Sequence, residues 1–145
     1  MNSALKLAET AFSKDEVPVG AVITYQNKII SKGYNQVEML RDSTAHAEII
    51  AITAASEYLK NKSLAGCELY VTLEPCIMCV GAAILAKIDA IYFAAHGPKS
   101  GACGSVYNIP HDDKLNHEIK IYGGLYEDVA KDLLRSFFAG KRSNS

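Results

Sequence analysis

Two short segments hold the groups that can do chemistry, His46-Ala47-Glu48 and Pro75-Cys76-Ile77-Met78-Cys79. Together they supply one imidazole, two thiols and one carboxylate, each segment at what reads as the start of a helix. A Cys-x-x-Cys pair alone has three readings: a redox motif, half of a structural zinc site, or coincidence. The histidine and the glutamate narrow them. Two thiolates and one imidazole make three protein ligands, which leaves the fourth corner of a tetrahedral zinc open to water. That is the arrangement of a hydrolytic metal, and a nearby carboxylate supplies the proton shuttle it needs. A closed structural site calls instead for a fourth Cys or His at paired spacing, whereas His96, His111 and His117 stand isolated.

Spacing adds detail. Cys76 and Cys79 lie three residues apart, so on a helix both sulfurs share a face. In a first turn, unpaired N–H groups and the positive end of the helix dipole favour the thiolate. Glu48 follows His46 by two residues, a spacing that does not share a helical face. Their convergence is expected only because both sit at a helix start, facing a site off its end.

The elements that must position these groups alternate. A helix is predicted over 2–14, with Leu5, Ala8 and Phe12 on one face and its end set by Pro18. Val19 to Tyr25 reads as a buried strand, Gln26-Asn27 as a tight hairpin, and Ile29-Ile30 to Asn35 as the partner strand. A polar loop through Thr44 leads to the helix of His46. Its apolar run, Ile49 to Ala55, faces nearly all round and predicts burial. A third strand over Glu68 to Leu73 precedes a helix over Cys76 to Lys87, where Pro75 costs nothing at the helix start. Strands follow over Ala90 to Ala94 and Ile119 to Tyr122, separated by a Gly-rich loop, Gly97 to Ser105. The last helix is the clearest: Tyr126, Val129, Ala130, Leu133, Leu134, Phe137 and Phe138 keep helical spacing. Residues 141–145 are expected to fray. The alternation predicts a layered α/β domain with a five-stranded mixed sheet.

At 145 residues, 49% hydrophobic and 21% charged, the chain has the make-up of one globular domain spanning 1–145. Its longest apolar stretch, Val80 to Ala86, is too short to span a membrane, and the N-terminus has no signal-like core. A cytoplasmic protein is expected. A net charge of −1 and a pI near 6.4 neither demand nor exclude a nucleic-acid partner, which needs only a local basic patch. Cys67 and Cys103 read as reduced, inert thiols rather than parts of a disulfide scaffold.

Beyond the two metal segments, Glu16-Val17-Pro18-Val19-Gly20-Ala21-Val22, Gly33-Tyr34-Asn35, Tyr70 to Cys76 and Lys99 to Ser105 also match one pattern, in order and at similar spacing. The chain resembles the bacterial tRNA-specific adenosine deaminases of the zinc-dependent nucleobase deaminase superfamily. The resemblance runs from the first helix to Phe137-Phe138. It implies a three-layer α/β/α cytidine deaminase-like fold with helices on both faces of the sheet. It implies one Zn2+ per subunit, held by His46, Cys76 and Cys79, with Glu48 carrying protons from water to the purine ring and the leaving amine. Asn35 would hydrogen-bond the base, with Val19 and Ala47 lining its pocket. The implied substrate is the wobble adenosine of a tRNA anticodon loop, converted to inosine by a homodimer. RNA contacts would come from Lys99, Ser100, one of Phe137 and Phe138 (the aromatic reaching past the helix end, taken as Phe138), Lys141 and Arg142. At position 97 the family usually has an acidic residue; here it is Gly97. Two other functions fit the same zinc residues: a deaminase of free bases or nucleosides such as cytosine or guanine, and a non-catalytic zinc-stabilised RNA-binding module. Glu48 weighs against the latter, since a purely structural site has no use for a non-ligand acid.

Overall fold

In a computed structural model, which describes residues 1–143, the strand after Pro18 sits second in a five-stranded sheet. The strands are β1 (Gly20–Tyr25), β2 (Lys28–Tyr34), β3 (Cys67–Leu73), β4 (Ala90–Ala95) and β5 (Lys120–Gly123), in the order β2-β1-β3-β4-β5. β1 runs antiparallel to β2 and β3, while β3, β4 and β5 are parallel, so the sheet is mixed. The hairpin turns on Gln26 and Asn27, both at positive φ (51° and 64°), the conformation whose twist suits a two-residue connection.

Among the described residues, α-helices accompany the sheet as α1 (Asn2–Ser13), α2 (Val37–Leu40), α3 (Ala47–Leu59), α4 (Ile77–Leu85) and α5 (Glu127–Ser143), with one 3-10 turn over Ile109–His111. The α3 and α4 layer covers one face. There Ala47, Ala51, Ala55, Val80 and Ala83 close over Ala21, Ile23, Leu69, Val71, Ile91 and Phe93. On the other face Leu5 of α1 and Ala130 of α5 pack with Ala94 and Ala95. This is the expected α/β/α sandwich.

Two glycines set how close the helices come. A Cβ at Gly20 would lie 2.0 Å from the Ala4 carbonyl oxygen of α1, and one at Gly33 would lie 2.5 Å from the Ala47 oxygen of α3. Backbone therefore rests on backbone on both faces, and the first turn of α3 is seated directly on β2.

Several boundaries differ from the sequence reading. α1 ends at Ser13, before Pro18, because Asp15 takes a positive φ of 62° and turns the chain out of the helix. α4 starts at Ile77 with Cys76 as its cap and stops at Leu85, because Lys87 lies at φ 66°. The loop before Thr44 contains α2, one turn whose Glu38 and Met39 N–H groups donate to the buried carboxylate of Glu16. Residues 141–143 of the expected frayed tail continue α5, where Lys141 pairs with Asp15 at 2.6 Å. Residues 144–145 lie outside the described residues. No helix among the described residues is long and apolar enough to cross a membrane.

Candidate active site

Helices α3 and α4 present their N-terminal ends to one point. His46 caps α3 in extended conformation, fixed by a turn in which the Thr44 N–H and hydroxyl both donate to Asp42. Cys76 caps α4 and Cys79 lies in its first turn. The His46 Nδ1 comes to 3.7 Å from the Cys76 Sγ and 3.6 Å from the Cys79 Sγ, and the three atoms lie within 4.8 Å of one another.

Those separations test whether the residues suit a metal. Nitrogen and sulfur at about 2.0–2.1 and 2.3 Å from a tetrahedral zinc stand roughly 3.6 Å apart. The observed distances match, and the donor set, one imidazole and two thiols, is a zinc set. Three donors would leave a fourth position for a small ligand.

The electrostatics point the same way. The hydrogen bond from Cys79, with a further contribution from His46, holds the Cys76 thiol far below its usual range, at about 3. Its partner goes the other way: the bond to Cys76 and burial raise Cys79. A divalent cation at this point would favour the thiolate form of both. Burial, opposed by its own backbone N–H and by His46, raises the Glu48 carboxyl. Glu48 is only 4% exposed, and this burial favours its protonated form.

A cavity of about 580 Å³ opens on this cluster. Its wall contains His46, Cys76 and Glu48 together with Asn35 and Val19, so five of the residues expected at the centre meet in one space. Cys79 is fully buried behind the wall. Ala47 is fully buried too, but in the core beneath α3 and outside the lining. Farther out, Ser100, Phe137 and Lys141 line the cavity, whereas Lys99, Phe138 and Arg142 do not. The aromatic at the wall is thus Phe137, held edge-on to Phe12 and under the Lys141 ammonium. Phe138 points outward, 44% exposed, because the stripe of α5 can bury only one of two consecutive residues.

Two buried carboxylates escaped the sequence reading, and each shapes a side of the cavity. Glu16 holds α2, whose Val37 and Glu38 are in the wall. Glu74, 3% exposed, receives the Gly97, Cys103 and Ser105 N–H groups and the Ser105 hydroxyl. Four donors outweigh burial and keep its carboxyl below the usual value. The available signal is a glutamate just past the end of β3, directly before Pro75 and Cys76.

Comparison with known proteins agrees with this geometry. The model of the cytidine and deoxycytidylate deaminase zinc-binding region matches residues 1–95. The tRNA-specific adenosine deaminase of Aquifex aeolicus is 51% identical over 142 residues, 97% of this chain and 93% of that protein. That of Bacillus subtilis is 38% identical over 138 residues, 95% and 86% of the two chains. A structure solved in work on A-to-I editing by tRNA deaminases at the wobble position superposes with a TM-score of 0.89 at 40% identity, covering 92% of this chain and 97% of that one. Guanine deaminase from Nitrosomonas europaea follows at 0.79 and 30%, covering 95% and 82%. A zinc-type donor set beside a buried acid, in a chain alike over nearly its whole length to these proteins, places it: it belongs to the cytidine and deoxycytidylate deaminase zinc-binding family, among the tRNA-specific adenosine deaminases.

Proposed function

We propose that this chain hydrolyses the 6-amino group of the wobble adenosine in a tRNA anticodon loop, giving inosine and ammonia. The observation that carries the reaction is the meeting of His46, Cys76 and Glu48 in one cavity wall, with the Cys79 sulfur 3.6 Å from His46. What favours RNA over a free base is the 51% identity to a tRNA-specific adenosine deaminase, against 30% to a guanine deaminase.

His46, Cys76 and Cys79 hold the zinc ion, one per subunit. When bound, zinc supplies the Lewis acidity that brings the pKa of a water molecule towards neutrality. Glu48 then moves the protons. It takes one from the water as the water oxygen bonds to carbon 6, passes it to ring nitrogen N1, and transfers the next to the departing amine. Its burial suits this traffic, because a raised carboxyl is a stronger base towards the water proton than an exposed one. Asn35 orients the base by hydrogen bonding and Val19 packs against it, while Ala47 supports the floor from beneath. An anticodon-loop base is already unpaired, so turning it into a cavity costs less than opening a duplex. Ser100, Phe137 and Lys141 meet the flanking nucleotides at the wall, with Lys99, Phe138 and Arg142 reaching RNA beyond it.

The chain acts as one deaminase domain over residues 1–145, in the cytoplasm, as a homodimer. Supporting the pairing, α4 exposes Ile77 and Leu85, the latter at 84%, and the adjacent loop exposes Val106 and Tyr107. Sedimentation should return twice the chain mass. The activity is tested by sequencing an anticodon stem-loop treated with zinc-loaded protein. Adenosine at the wobble position should read as inosine, and an adenosine at a neighbouring loop position should not. Equal conversion at both positions would remove the wobble assignment.

A further inference from the structure

Ser100 reaches the cavity wall from the Gly-rich loop over 97–105, a segment with no helix or strand of its own apart from one bridge, Cys103 to Asn108. Something other than secondary structure has to hold it. The four donors gathered by Glu74 come from both ends of this loop: Gly97 at 3.0 Å on Oε1, and Cys103 and Ser105 at 2.9 and 3.1 Å on Oε2, with the Ser105 hydroxyl on Oε1. The loop closes tightly around the carboxylate. A Cβ at Gly101 would stand 2.4 Å from the Glu74 carboxyl carbon and 2.6 Å from both oxygens, so any larger residue there would displace the carboxylate. One more bond ties the same stretch to the metal segment, from the Ala102 N–H to the Pro75 oxygen at 2.8 Å. Glu74, Pro75 and Cys76 are consecutive. The backbone that presents a zinc thiol therefore also carries the clamp for the loop.

We infer that Glu74 is a positioning residue for RNA. It fixes loop 97–105 as a preformed lip of the cavity, so that Ser100 meets the nucleic acid without a prior ordering step. This rests on the RNA-deaminase reading above. A loop that must order on binding weakens affinity by the fraction of time it spends ordered, and leaves the chemical step untouched once RNA is seated. A carboxylate whose only task is to satisfy buried donors would show no such division between KM and kcat.

Glu74→Gln keeps the shape and replaces one accepting oxygen with an NH2 group that cannot accept. For the stem-loop, KM should rise about tenfold, the scale of one lost hydrogen bond to a charged group, with kcat within about threefold. Zinc should stay at one per chain, and the amides of Gly97, Cys103 and Ser105 should lose hydrogen-exchange protection. Ser105→Ala, which removes only the hydroxyl donor, should shift KM the same way by about two- to threefold, and it carries the test if the first variant does not fold. The inference is overturned if protection at the three amides is unchanged. It is equally overturned if KM is unchanged while protection is lost, or if kcat and zinc content fall together. A wild-type protein that leaves the stem-loop untouched would instead sink the RNA reading, and the amide exchange would still separate a clamped loop from a free one.

Discussion

Gly33→Ala offers a test of how the fold seats the metal ligands. The added Cβ would stand 2.5 Å from the Ala47 oxygen and 2.9 Å from the Ala51 N of α3, where ordinary contact begins at 3.4 Å. The obstacle is helix backbone, which has no rotamer to change. The first turn of α3 must then retreat from β2 by about 0.9 Å. His46 caps that turn and Glu48 lies within it, while Cys76 and Cys79 sit on α4 and stay behind. A zinc site tolerates ligand distances within about 0.2 Å, so the displacement exceeds what the donors can absorb in place. Overpacking of this kind costs about 1–3 kcal/mol, a fall of roughly 3 to 10 °C in Tm for a chain of this size. A misplacement of about 1 Å at reacting groups is worth on the order of a hundredfold in rate. Zinc affinity by chelator competition, Tm and turnover should therefore all fall in this variant. Wild-type zinc affinity and turnover in a folded Gly33→Ala protein would refute the claim that β2 fixes the position of His46 and Glu48.

Other consequences are separable. Glu48→Ala should retain one zinc per chain and lose about 10²- to 10⁴-fold in turnover, measured by ammonia release and metal analysis on the same sample; surviving turnover would remove Glu48 from proton transfer. Zinc should raise the Tm of the wild type, by the equivalent of about 2.7 kcal/mol at a hundred times Kd, and should leave Cys76→Ala unmoved in a calorimetric titration. His96 donates its backbone N–H and its ring to Glu127, and the ring bond first and the N–H second hold that carboxyl below the ordinary 4.5. A lowered carboxyl stabilises the fold above its unfolded value and loses that contribution as pH falls. Urea melts should therefore show a stability gap between wild type and Glu127→Gln at pH 7 that closes as pH drops below 4.5. A gap that persisted in acid would contradict the pairing.

What the sequence made legible is what short range determines. The stripe from Tyr126 to Phe138 specifies α5 from period and Gln26-Asn27 specifies the hairpin, whereas the apolar run from Ile49 to Ala55 marks α3 but not its burial: only Ala51 and Ala55 are buried on the sheet side, and Thr53 and Ala54 face solvent. The convergence of His46, Cys76 and Cys79 was readable because coordination chemistry restricts which spacings are useful. Glu48 was harder. At i+2 from His46 it meets the same cavity only because His46 is a cap with extended backbone (ψ 153°), outside the helical period. The features that stayed hidden depend on partners far along the chain. α2 has four residues and forms where Glu16, more than twenty residues earlier, supplies its N-terminal acceptors. Loop 97–105 is shaped by Glu74 across a similar distance. Helix continues through Lys141 in a segment whose sequence suggested a loose end, and there Lys141 meets Asp15. The sequence points to Phe138 as the aromatic reaching past the helix end, whereas Phe137, packed against Phe12, is the one at the cavity wall.

The most direct measurement gives zinc-loaded protein an anticodon stem-loop with adenosine at the wobble position, and separately free adenine, cytosine, guanine and their nucleosides, and compares kcat/KM. Inosine is expected in the stem-loop, with the free bases and nucleosides turned over at least a hundredfold less efficiently, a difference of about 2.7 kcal/mol. Efficient turnover of a free base beside an untouched stem-loop would contradict the RNA reading.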